Sequence, residues 1–310
     1  MEYSLTSVRD VRTLLDKYGL APKKGFGQNF LINPDVPYRI AASAACGRDP
    51  GYGEVMPCEG GVIEIGPGIG AMTRELSGLF EKVVAVEIDR GLIPLLGETL
   101  SDCENTQVVE ADFLSLDLPS FVEERFGTMP VKVCANLPYY VTTPVLMKIL
   151  ESYPPTGTPR IDSVTVMIQT EVADRLCATE NDSEYGAVTA SVALHGRAEK
   201  LFTVSAGNFF PAPKVSSSVV CIKLHPNGIY DVFPDAPQER EELALFVERT
   251  KKIISSAFIQ RRKTLTNALS GMFPKEKVSA ALESLGLRPD VRGEKISPDG
   301  FCALCKELYC

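Results

Sequence analysis

A strand, a glycine-rich turn and a helix follow one another near residue 66, and this unit constrains the fold more than any other stretch. The apolar run Gly61–Ile65 predicts a buried strand, and Gly66–Gly70 (Gly-Pro-Gly-Ile-Gly) predicts a tight turn. Apolar residues then recur at helical spacing up to Leu79. Small residues at such a turn let the backbone approach a bound cofactor closely, so the unit predicts an open α/β sheet of the Rossmann-like kind.

A second predicted strand, Val83–Ile88, carries an acidic residue at its end. Glu87 lies about twenty positions after the first glycine, where a carboxylate can accept hydrogen bonds from ribose hydroxyls. The glycine spacing is GxGxG, however, and dinucleotide-binding proteins have GxGxxG. The pair of strands therefore indicates a cofactor that contains adenosine without identifying it.

Acidic residues at successive strand ends narrow the choice of cofactor. NAD presents a pyrophosphate to a helix N-terminus and is favoured by neutral or positive surroundings. S-adenosylmethionine carries a sulfonium cation and no phosphate, so the acidic side chains favour it. Asp112 follows the predicted strand Thr106–Ala111 and could accept from an adenine amine, but the same residue could simply cap a helix. The acidic residues in question are Glu64, Glu87, Asp89 and Asp112.

The tetrapeptide Asn136-Leu137-Pro138-Tyr139 follows a β-branched run that begins at Val131. A helix start at Thr142-Thr143-Pro144 comes next, which places the tetrapeptide in a loop at the carboxyl end of a strand. The side-chain oxygen of Asn136 can accept from an exocyclic amine, and Tyr139 offers a π-face for a base. Taken alone, the same four residues would also suit a turn with a packed tyrosine.

Length and periodicity indicate two domains. Strands alternate with helical patterns in the first 226 of the 310 residues, which predicts a mostly parallel sheet. The proline- and glycine-containing stretch 227–238 reads as a linker, and the pattern beyond it is helical. We therefore expect domains at 1–226 and 227–310, in a cytoplasmic protein with no membrane contact, because no apolar run approaches the length of a bilayer span.

Charge is divided unevenly along the chain. Residues 1–205 hold 17 Lys and Arg against 28 Asp and Glu, whereas residues 206–310 hold 15 against 12. The basic stretch between residues 245 and 265 is a candidate phosphate contact, although such a run is often only a solvated helix face. Its basic residues are Arg249, Lys251, Lys252, Arg261, Arg262 and Lys263.

Nine cysteines are scattered through apolar stretches, which suits reduced, buried thiols. Cys302, Cys305 and Cys310 form the one cluster that suggests a metal site. Both histidines lie far upstream and no second CxxC exists, so we expect packing and no metal site.

Seven motifs occur in the order found in the small-subunit ribosomal RNA adenine dimethyltransferases, and the chain resembles the bacterial members of that family over nearly its whole length. Asn-Leu-Pro-Tyr is similar to their catalytic motif. The motifs are Gly27–Leu31, Glu64–Gly70, Val86–Asp89, Glu110–Asp112, Asn136–Tyr139, Asn208–Val215 and Phe258–Leu265.

The resemblance implies a seven-stranded class I methyltransferase sheet with a small all-helical C-terminal domain. It also implies S-adenosylmethionine as cofactor, and a monomer whose partner is the small ribosomal subunit with its rRNA. The implied reaction is N6,N6-dimethylation of two adjacent adenosines in a hairpin loop near the 3′ end of that rRNA. Only the family supplies the number of methyl groups.

Residue roles are carried over from the same motifs. Asn29 and Leu31 would close over the methionine end of the cofactor, and Gly66 would lie under its amino-acid portion. Glu87 would bind the ribose and Asp112 the adenine amine. Asn136 would contact both the cofactor and the target base, which would be sandwiched between Tyr139 and Phe209. Without the surrounding motif, Phe209 would be interpreted as a phenylalanine of the apolar core.

Two departures from the family pattern concern substrate positioning. Ala212 stands where many members have proline, and the loop Gly47–Gly61 is longer than usual. Three alternative functions stay open at this point. They are an antibiotic-resistance type of large-subunit rRNA methyltransferase, an RNA-binding assembly factor without activity, and an NAD oxidoreductase, which the glycine spacing disfavours.

Overall fold

The computed structural model describes residues 3–23, 25, 27–51, 53–138, 140–152, 161–180 and 182–309. The chain divides into two compact units. Among the described residues, the first unit comprises those up to 152 together with 161–173 and 199–223. The second unit comprises 174–198 and 224–309.

The elements up to residue 169 alternate between helix and strand, as the sequence predicts. They are α1 (Val8–Lys17), β1 (Phe30–Leu31), α2 (Asp35–Cys46), β2 (Cys58–Ile65), α3 (Ala71–Leu79), β3 (Phe80–Glu87), α4 (Leu92–Thr99), β4 (Thr106–Glu110), α5 (Leu118–Phe126), β5 (Val131–Asn136), α6 (Thr142–Ser152) and β6 (Ile161–Gln169).

The remaining elements complete the sheet and then become wholly helical. They are α7 (Thr170–Leu176), α8 (Ala187–Ala193), β7 (Gly196–Val204), β8 (Phe209–Phe210), β9 (Ser217–Leu224), α9 (Arg240–Ile259), α10 (Leu265–Ala268), α11 (Lys275–Ser284) and α12 (Pro298–Tyr309).

Seven strands form one sheet in the order β4-β3-β2-β5-β6-β9-β7. Strand β2 pairs in parallel with both β3 and β5, and β6 pairs antiparallel with β9. From β2 the chain first proceeds outward to β3 and β4, and then crosses to β5 and β6 on the other side. This reversal opens a crevice at the carboxyl ends of β2 and β5, where open α/β sheets bind ligands. The predicted seven-stranded fold with a helical C-terminal region is confirmed.

The central strands are apolar along nearly their whole length because helices cover both faces of a parallel sheet. Strand β3 buries Val83, Val84, Ala85 and Val86 completely or almost completely. Helix α3 packs its predicted apolar face, including Leu76, into the core that it shares with α2. Truncating one such buried leucine to alanine typically lowers the free energy of unfolding by about 2–5 kcal/mol. The packing of α3 against the sheet therefore stabilises the glycine turn that precedes this helix.

A separate two-stranded ribbon joins two distant segments of the first unit. Strands β1 and β8 pair antiparallel, with Phe30 opposite Phe210 and Leu31 opposite Phe209. The amide of Ile32 also donates to the carbonyl of Asn208 at 2.9 Å. This pairing fixes the segment that carries Asn29 and Leu31.

The second unit has its own apolar core, built around the buried ring of Phe301 on α12 and the apolar face of α9. Helix α8 packs against α9, which places residues 174–198 in this unit. The sequence predicted a single boundary between residues 226 and 227, so this segment is a correction to that boundary. Its cause is long-range packing, since the buried Tyr185 hydroxyl donates to the carbonyl of Ile296 at 2.9 Å.

Cys302 and Cys305 lie in that core on α12, and burial raises the pKa of the Cys302 thiol. Cys310 lies outside the described residues. Within the described ranges, no group of three or more His, Cys, Asp or Glu side chains could hold a metal ion. Nor does any helix in those ranges combine the length and apolarity that crossing a bilayer requires.

Candidate active site

A cleft opens at the carboxyl ends of β2, β3 and β5, next to the segment 27–31 that precedes and forms β1. Six residues that the sequence singled out line it together. They are Asn29, Leu31, Gly66, Glu87, Asp112 and Asn136. The structure therefore gathers at one place residues that are spread over more than a hundred positions of the sequence.

The glycine turn forms the floor of the cleft. Gly66, Gly68 and Gly70 all have positive φ angles, of 71°, 61° and 90°, which side chains with a Cβ rarely adopt. A Cβ built on Gly66 would meet no atom within 4 Å, so this backbone faces open space on the cleft side. Helix α3 begins directly after the turn, with Gly70 as its N-cap. The surface suits a ligand that lies flat against the backbone.

Glu87 ends β3 and is a buried residue, 4% exposed. One oxygen accepts from the amide of Gly68 at 3.1 Å and the other from the amide of Asp89 at 2.9 Å. Burial raises the pKa of Glu87, while these two backbone hydrogen bonds act in the opposite direction. The two amides hold the carboxylate at the rim, where its remaining lone pairs can accept from a diol.

Asp89 fastens the segment before β1 to the end of β3. Its carboxylate accepts from Lys23 Nζ at 2.7 Å, from Gln28 Nε2 at 3.0 Å and from the amide of Gly91 at 3.1 Å. Burial opposes ionisation, but these hydrogen bonds outweigh it and hold the pKa of Asp89 below its ordinary value. Sequence reasoning noted Asp89 only as an acidic residue and gave Lys23 and Gln28 no role.

Asp112 serves as a cap in the structure. Its Oδ1 accepts from the amide of Leu114 at 2.9 Å and its Oδ2 from the hydroxyl of Ser115 at 3.1 Å, at the start of a short 3₁₀ helix. The side chain is exposed and also lines the cleft. Each carboxylate oxygen can accept a second hydrogen bond, so capping and ligand binding are compatible at this residue.

Asn136 lies at the end of β5, on the opposite side of the glycine turn from Glu87. Its Nδ2 donates to the carbonyl of Asn29 at 3.4 Å, and Asn29 Nδ2 donates to the carbonyl of Gly27 at 2.9 Å. With its nitrogen directed at Asn29, Asn136 has Oδ1 available as an acceptor. The two asparagines thus connect the segment before β1 to the loop after β5.

Phe209 is not part of the cleft in this structure. Its side chain is 4% exposed and packs in the core beside α2 and α3, opposite Leu31 in the β1–β8 pair. Tyr139, the other predicted stacking aromatic, lies outside the described residues. The neighbouring Tyr140 lines the cleft and is 61% exposed. The stacking roles of Tyr139 and Phe209 stay predictions.

Glu64 is the functional candidate that sequence reasoning noticed but did not assign. It is fully buried on β2, lines the cleft, and both of its carboxyl oxygens lack a hydrogen-bond partner among the described residues. Burial raises its pKa from the ordinary value of 4.5 to about 8; the Thr73 hydroxyl acts against burial, and Glu87 adds to it. The sequence feature that could have identified Glu64 is an acidic residue within an otherwise apolar strand.

The sequence of this chain is similar to those of a known protein family and of its named members. The model of a family described as ribosomal RNA adenine dimethylase matches residues 20–309. A ribosomal RNA small subunit methyltransferase A of Lachnoclostridium phytofermentans is 39% identical over 297 residues, which cover 94% of this chain and 93% of the relative. The protein of the same name from Alkaliphilus metalliredigens is 37% identical over 307 residues, covering 98% of both chains.

Two solved structures are similar over most of the chain. The 23S rRNA methyltransferase ErmE is 25% identical with a TM-score of 0.64, covering 90% of this chain and 99% of that chain. A dimethyladenosine transferase from Plasmodium falciparum has a TM-score of 0.66 at 23% identity, covering 88% and 95%. The second likeness shows a shared fold.

Proposed function

Because the chain belongs to the ribosomal RNA adenine dimethylase family, we propose that it methylates N6 of two adjacent adenosines in a hairpin loop near the 3′ end of small-subunit (16S) rRNA. The methyl donor of the family is S-adenosylmethionine. One observation carries the assignment of the site. Gly66 follows β2, Glu87 and Asn136 end the neighbouring strands β3 and β5, and all three line one cleft at the reversal of the sheet.

The residues of the cleft fit this cofactor. Glu87 is held by two backbone amides and can accept from the ribose hydroxyls, and Asp112 can accept from the adenine amine. Gly66 leaves room for the amino-acid portion, and Asn29 and Leu31 border the same space. When bound, S-adenosylmethionine supplies a methyl group made electrophilic by the sulfonium charge.

Asn136 would activate the N6 amine of the target adenine, which is a weak nucleophile. The lone pair of adenine N6 is delocalised into the ring, so the pyramidal amine must be favoured for attack on the methyl carbon. Asn136 Oδ1 and the backbone carbonyl of Leu137 would accept the two amine hydrogens and localise the lone pair. With the donor held by Gly66, Glu87 and Asp112, the localised lone pair would accept the methyl group that the sulfonium supplies, and the amine proton would then leave to solvent. Such groups typically contribute about 3–4 kcal/mol to transition-state stabilisation.

The target base must leave its stack to reach Asn136. Flipping an adenine costs a few kcal/mol, and stacking on an aromatic ring returns about 1–3 kcal/mol per base. We assign this stacking to Tyr139 on sequence grounds. Phe209 could contribute only after leaving the packed position opposite Leu31, so its role needs a test of its own.

The basic stretch around the end of α9 separates into structural and exposed residues. Arg249 lies over the Tyr309 ring at 4.2 Å, Lys252 pairs with Glu248, and Arg261 donates to the carbonyls of Ser183 and Tyr185. The next two residues in the chain, Arg262 and Lys263, are exposed. We propose these two as contacts for rRNA phosphates.

The direct test is methyl transfer from labelled S-adenosylmethionine to small ribosomal subunits from cells that lack this gene. Nuclease digestion would then identify the modified nucleoside. We expect N6,N6-dimethyladenosine, about two per subunit. Transfer to large-subunit rRNA would instead favour the alternative function, a large-subunit rRNA methyltransferase of the antibiotic-resistance type. The similarity to ErmE is the reason to test for it.

A second alternative is an assembly factor that binds RNA without catalysis. No transfer to either subunit, together with retained binding to small subunits, would favour that function. We further propose that the protein acts as a monomer in the cytoplasm, where its ribosomal partner is assembled. Light scattering coupled to size exclusion would measure the oligomeric state.

A further inference from the structure

Glu64 is a buried carboxyl group in the wall of the cleft. On β2 it lies between Ala85 of β3 and Cys134 of β5. Its exposed fraction is 0%, and neither of its oxygens has a partner among the described residues. The hydroxyl of Thr73 on α3 is buried beside it and lowers the pKa of the carboxyl, against the effect of burial, although the two groups do not reach hydrogen-bonding geometry. An ionised carboxylate in such a place is strongly disfavoured unless an opposite charge is supplied.

The groups around Glu64 supply no such charge. The titratable neighbours are Glu87 from β3 and the Cys134 thiol from β5, and α3 adds only the Thr73 hydroxyl. The buried face of α2, which packs against α3, carries no titratable side chain. Within the described part of the chain, no Lys or Arg acts on the pKa of Glu64. The described residues therefore supply no cation for an ionised Glu64.

We propose that Glu64 is a neutral carboxylic acid before the cofactor binds and becomes a carboxylate against its cationic methionine end, so that binding releases one proton to solvent. The inference rests on the proposed placement of the cofactor across Gly66 and Asn136. Glu64 shares the cleft with both residues. Its role is to position the donor, since it is separate from the amine acceptors at Asn136.

Proton linkage gives the proposal measurable consequences. A carboxyl with a pKa of about 8 in the free protein is mostly protonated at pH 7. If the cofactor stabilises the carboxylate, binding near pH 7 releases close to one proton, and the release falls toward zero above about pH 9. Affinity then weakens by up to about tenfold for each pH unit below 8.

Titration calorimetry in buffers of different ionisation enthalpy measures the released protons directly. We expect close to one for the wild-type protein with S-adenosylmethionine, and markedly less for Glu64→Gln, with affinity weakened about tenfold or more. Glu75→Gln is the matched control, because burial also raises the pKa of Glu75 on α3 but that residue does not line the cleft. Its proton release should equal that of the wild type.

5′-Methylthioadenosine, which contains the adenosine part without the cationic end, is the ligand control, and it should bind without the Glu64-dependent release. Equal proton release by the wild type and Glu64→Gln would overturn the role of Glu64 while leaving the cofactor site intact. Failure of the wild type to bind S-adenosylmethionine at all would instead overturn the proposed site. If Glu64→Gln does not fold, the wild-type pH series decides, since a release that does not change between pH 6 and 9 contradicts the proposal.

Discussion

Lys23 and Asp89 form an ion pair in which Nζ lies 2.7 Å from Oδ1, and the aspartate side chain is 4% exposed. The pair joins the segment before β1 to the residues that follow β3. Gln28 adds a second contact to the same carboxylate at 3.0 Å. Asp89 thereby holds in place the segment that carries Asn29 and Leu31.

Asp89→Ala should therefore loosen the rim of the cleft and weaken cofactor binding about tenfold. Breaking a buried pair typically costs 3–5 kcal/mol, but Lys23 is about half exposed, so we expect about 1–2 kcal/mol of lost stability. Denaturant unfolding and calorimetry would measure both effects. Glu98→Gln, which removes the solvent-exposed pair with Lys17, is the control and should change stability much less than Asp89→Ala.

The pH dependence of that pair follows from the lowered pKa of Asp89. A carboxyl whose pKa is lower in the folded state binds fewer protons there than in the unfolded chain. Its stabilisation is present above the ordinary value of 3.8 and is lost as the pH falls through the folded pKa. Unfolding measured between pH 5 and 3 should show a smaller loss for Asp89→Ala than for the wild type. Parallel curves would contradict this assignment.

Asn136→Ala should lower methyl transfer by about 10²–10³ while the fold and cofactor binding change little. The side chain is partly exposed and its one weak hydrogen bond, at 3.4 Å to Asn29, contributes little to stability. Single-turnover transfer to small subunits measures the chemical step, and thermal unfolding controls for the fold. Asn136→Asp keeps an acceptor oxygen and should retain more activity than the alanine variant. An alanine variant as fast as the wild type would remove Asn136 from catalysis.

Phe209 could pack in the apolar core only, or it could also stack on the target base, and two substitutions distinguish these roles. Phe209→Ala should cost about 3–5 kcal/mol of stability, because the ring is buried opposite Leu31. Phe209→Leu keeps most of the volume and should fold. If Phe209 also stacks on the target base, the leucine variant will bind S-adenosylmethionine normally but transfer methyl groups slowly. Normal transfer by Phe209→Leu would leave Phe209 with packing alone.

The central strands could be predicted from the sequence because burial on both faces makes them continuous apolar runs. The predicted strand Val83–Ile88 corresponds to β3, and the run from Val131 is β5. Strand β7 was missed because polar residues such as Arg197 and Lys200 interrupt it at the edge of the sheet. Strands β1 and β8 could not be predicted, since a two-residue strand exists only through a partner far away in sequence.

The residues of the candidate site could likewise be predicted only in part from the sequence. Glu87 and Asn136 end predicted strands, so the geometry of a parallel sheet brings them together. The contact of Lys23 with Asp89 depends on how a loop folds back, which no local pattern specifies. The complete burial of Glu64 likewise depends on the packing of α2 and α3 over the sheet, and the sequence shows only an acidic residue.

Arg262 and Lys263 should contribute to rRNA binding through phosphate contacts. Replacing either with alanine should weaken binding about uniformly across RNA sequences and reduce the slope of log affinity against log salt by about 1. Filter binding to small-subunit rRNA fragments over a salt series measures this. Arg261→Ala is the contrasting variant, because its guanidinium donates to the carbonyls of Ser183 and Tyr185. It should lower thermal stability, whereas the other two should not.

The pKa of Glu64 also predicts how the stability of the cofactor-free protein varies with pH. A carboxyl whose pKa rises from 4.5 to about 8 on folding binds more protons in the folded state, so its stabilisation is lost as the pH rises through that window. The slope is at most about 1.4 kcal/mol per pH unit. Glu64→Gln mimics the neutral acid and should remove this part of the dependence.

Urea unfolding of the wild type and Glu64→Gln at pH 5, 6, 7 and 8 measures the effect. Glu87, whose pKa is also raised, is present in both proteins, so most of its contribution is common to the two curves. We expect the stability of Glu64→Gln relative to the wild type to increase steadily from pH 5 to pH 8. A difference that stays constant would mean that Glu64 is already ionised in the folded protein, in which case a cation other than the cofactor must compensate its charge.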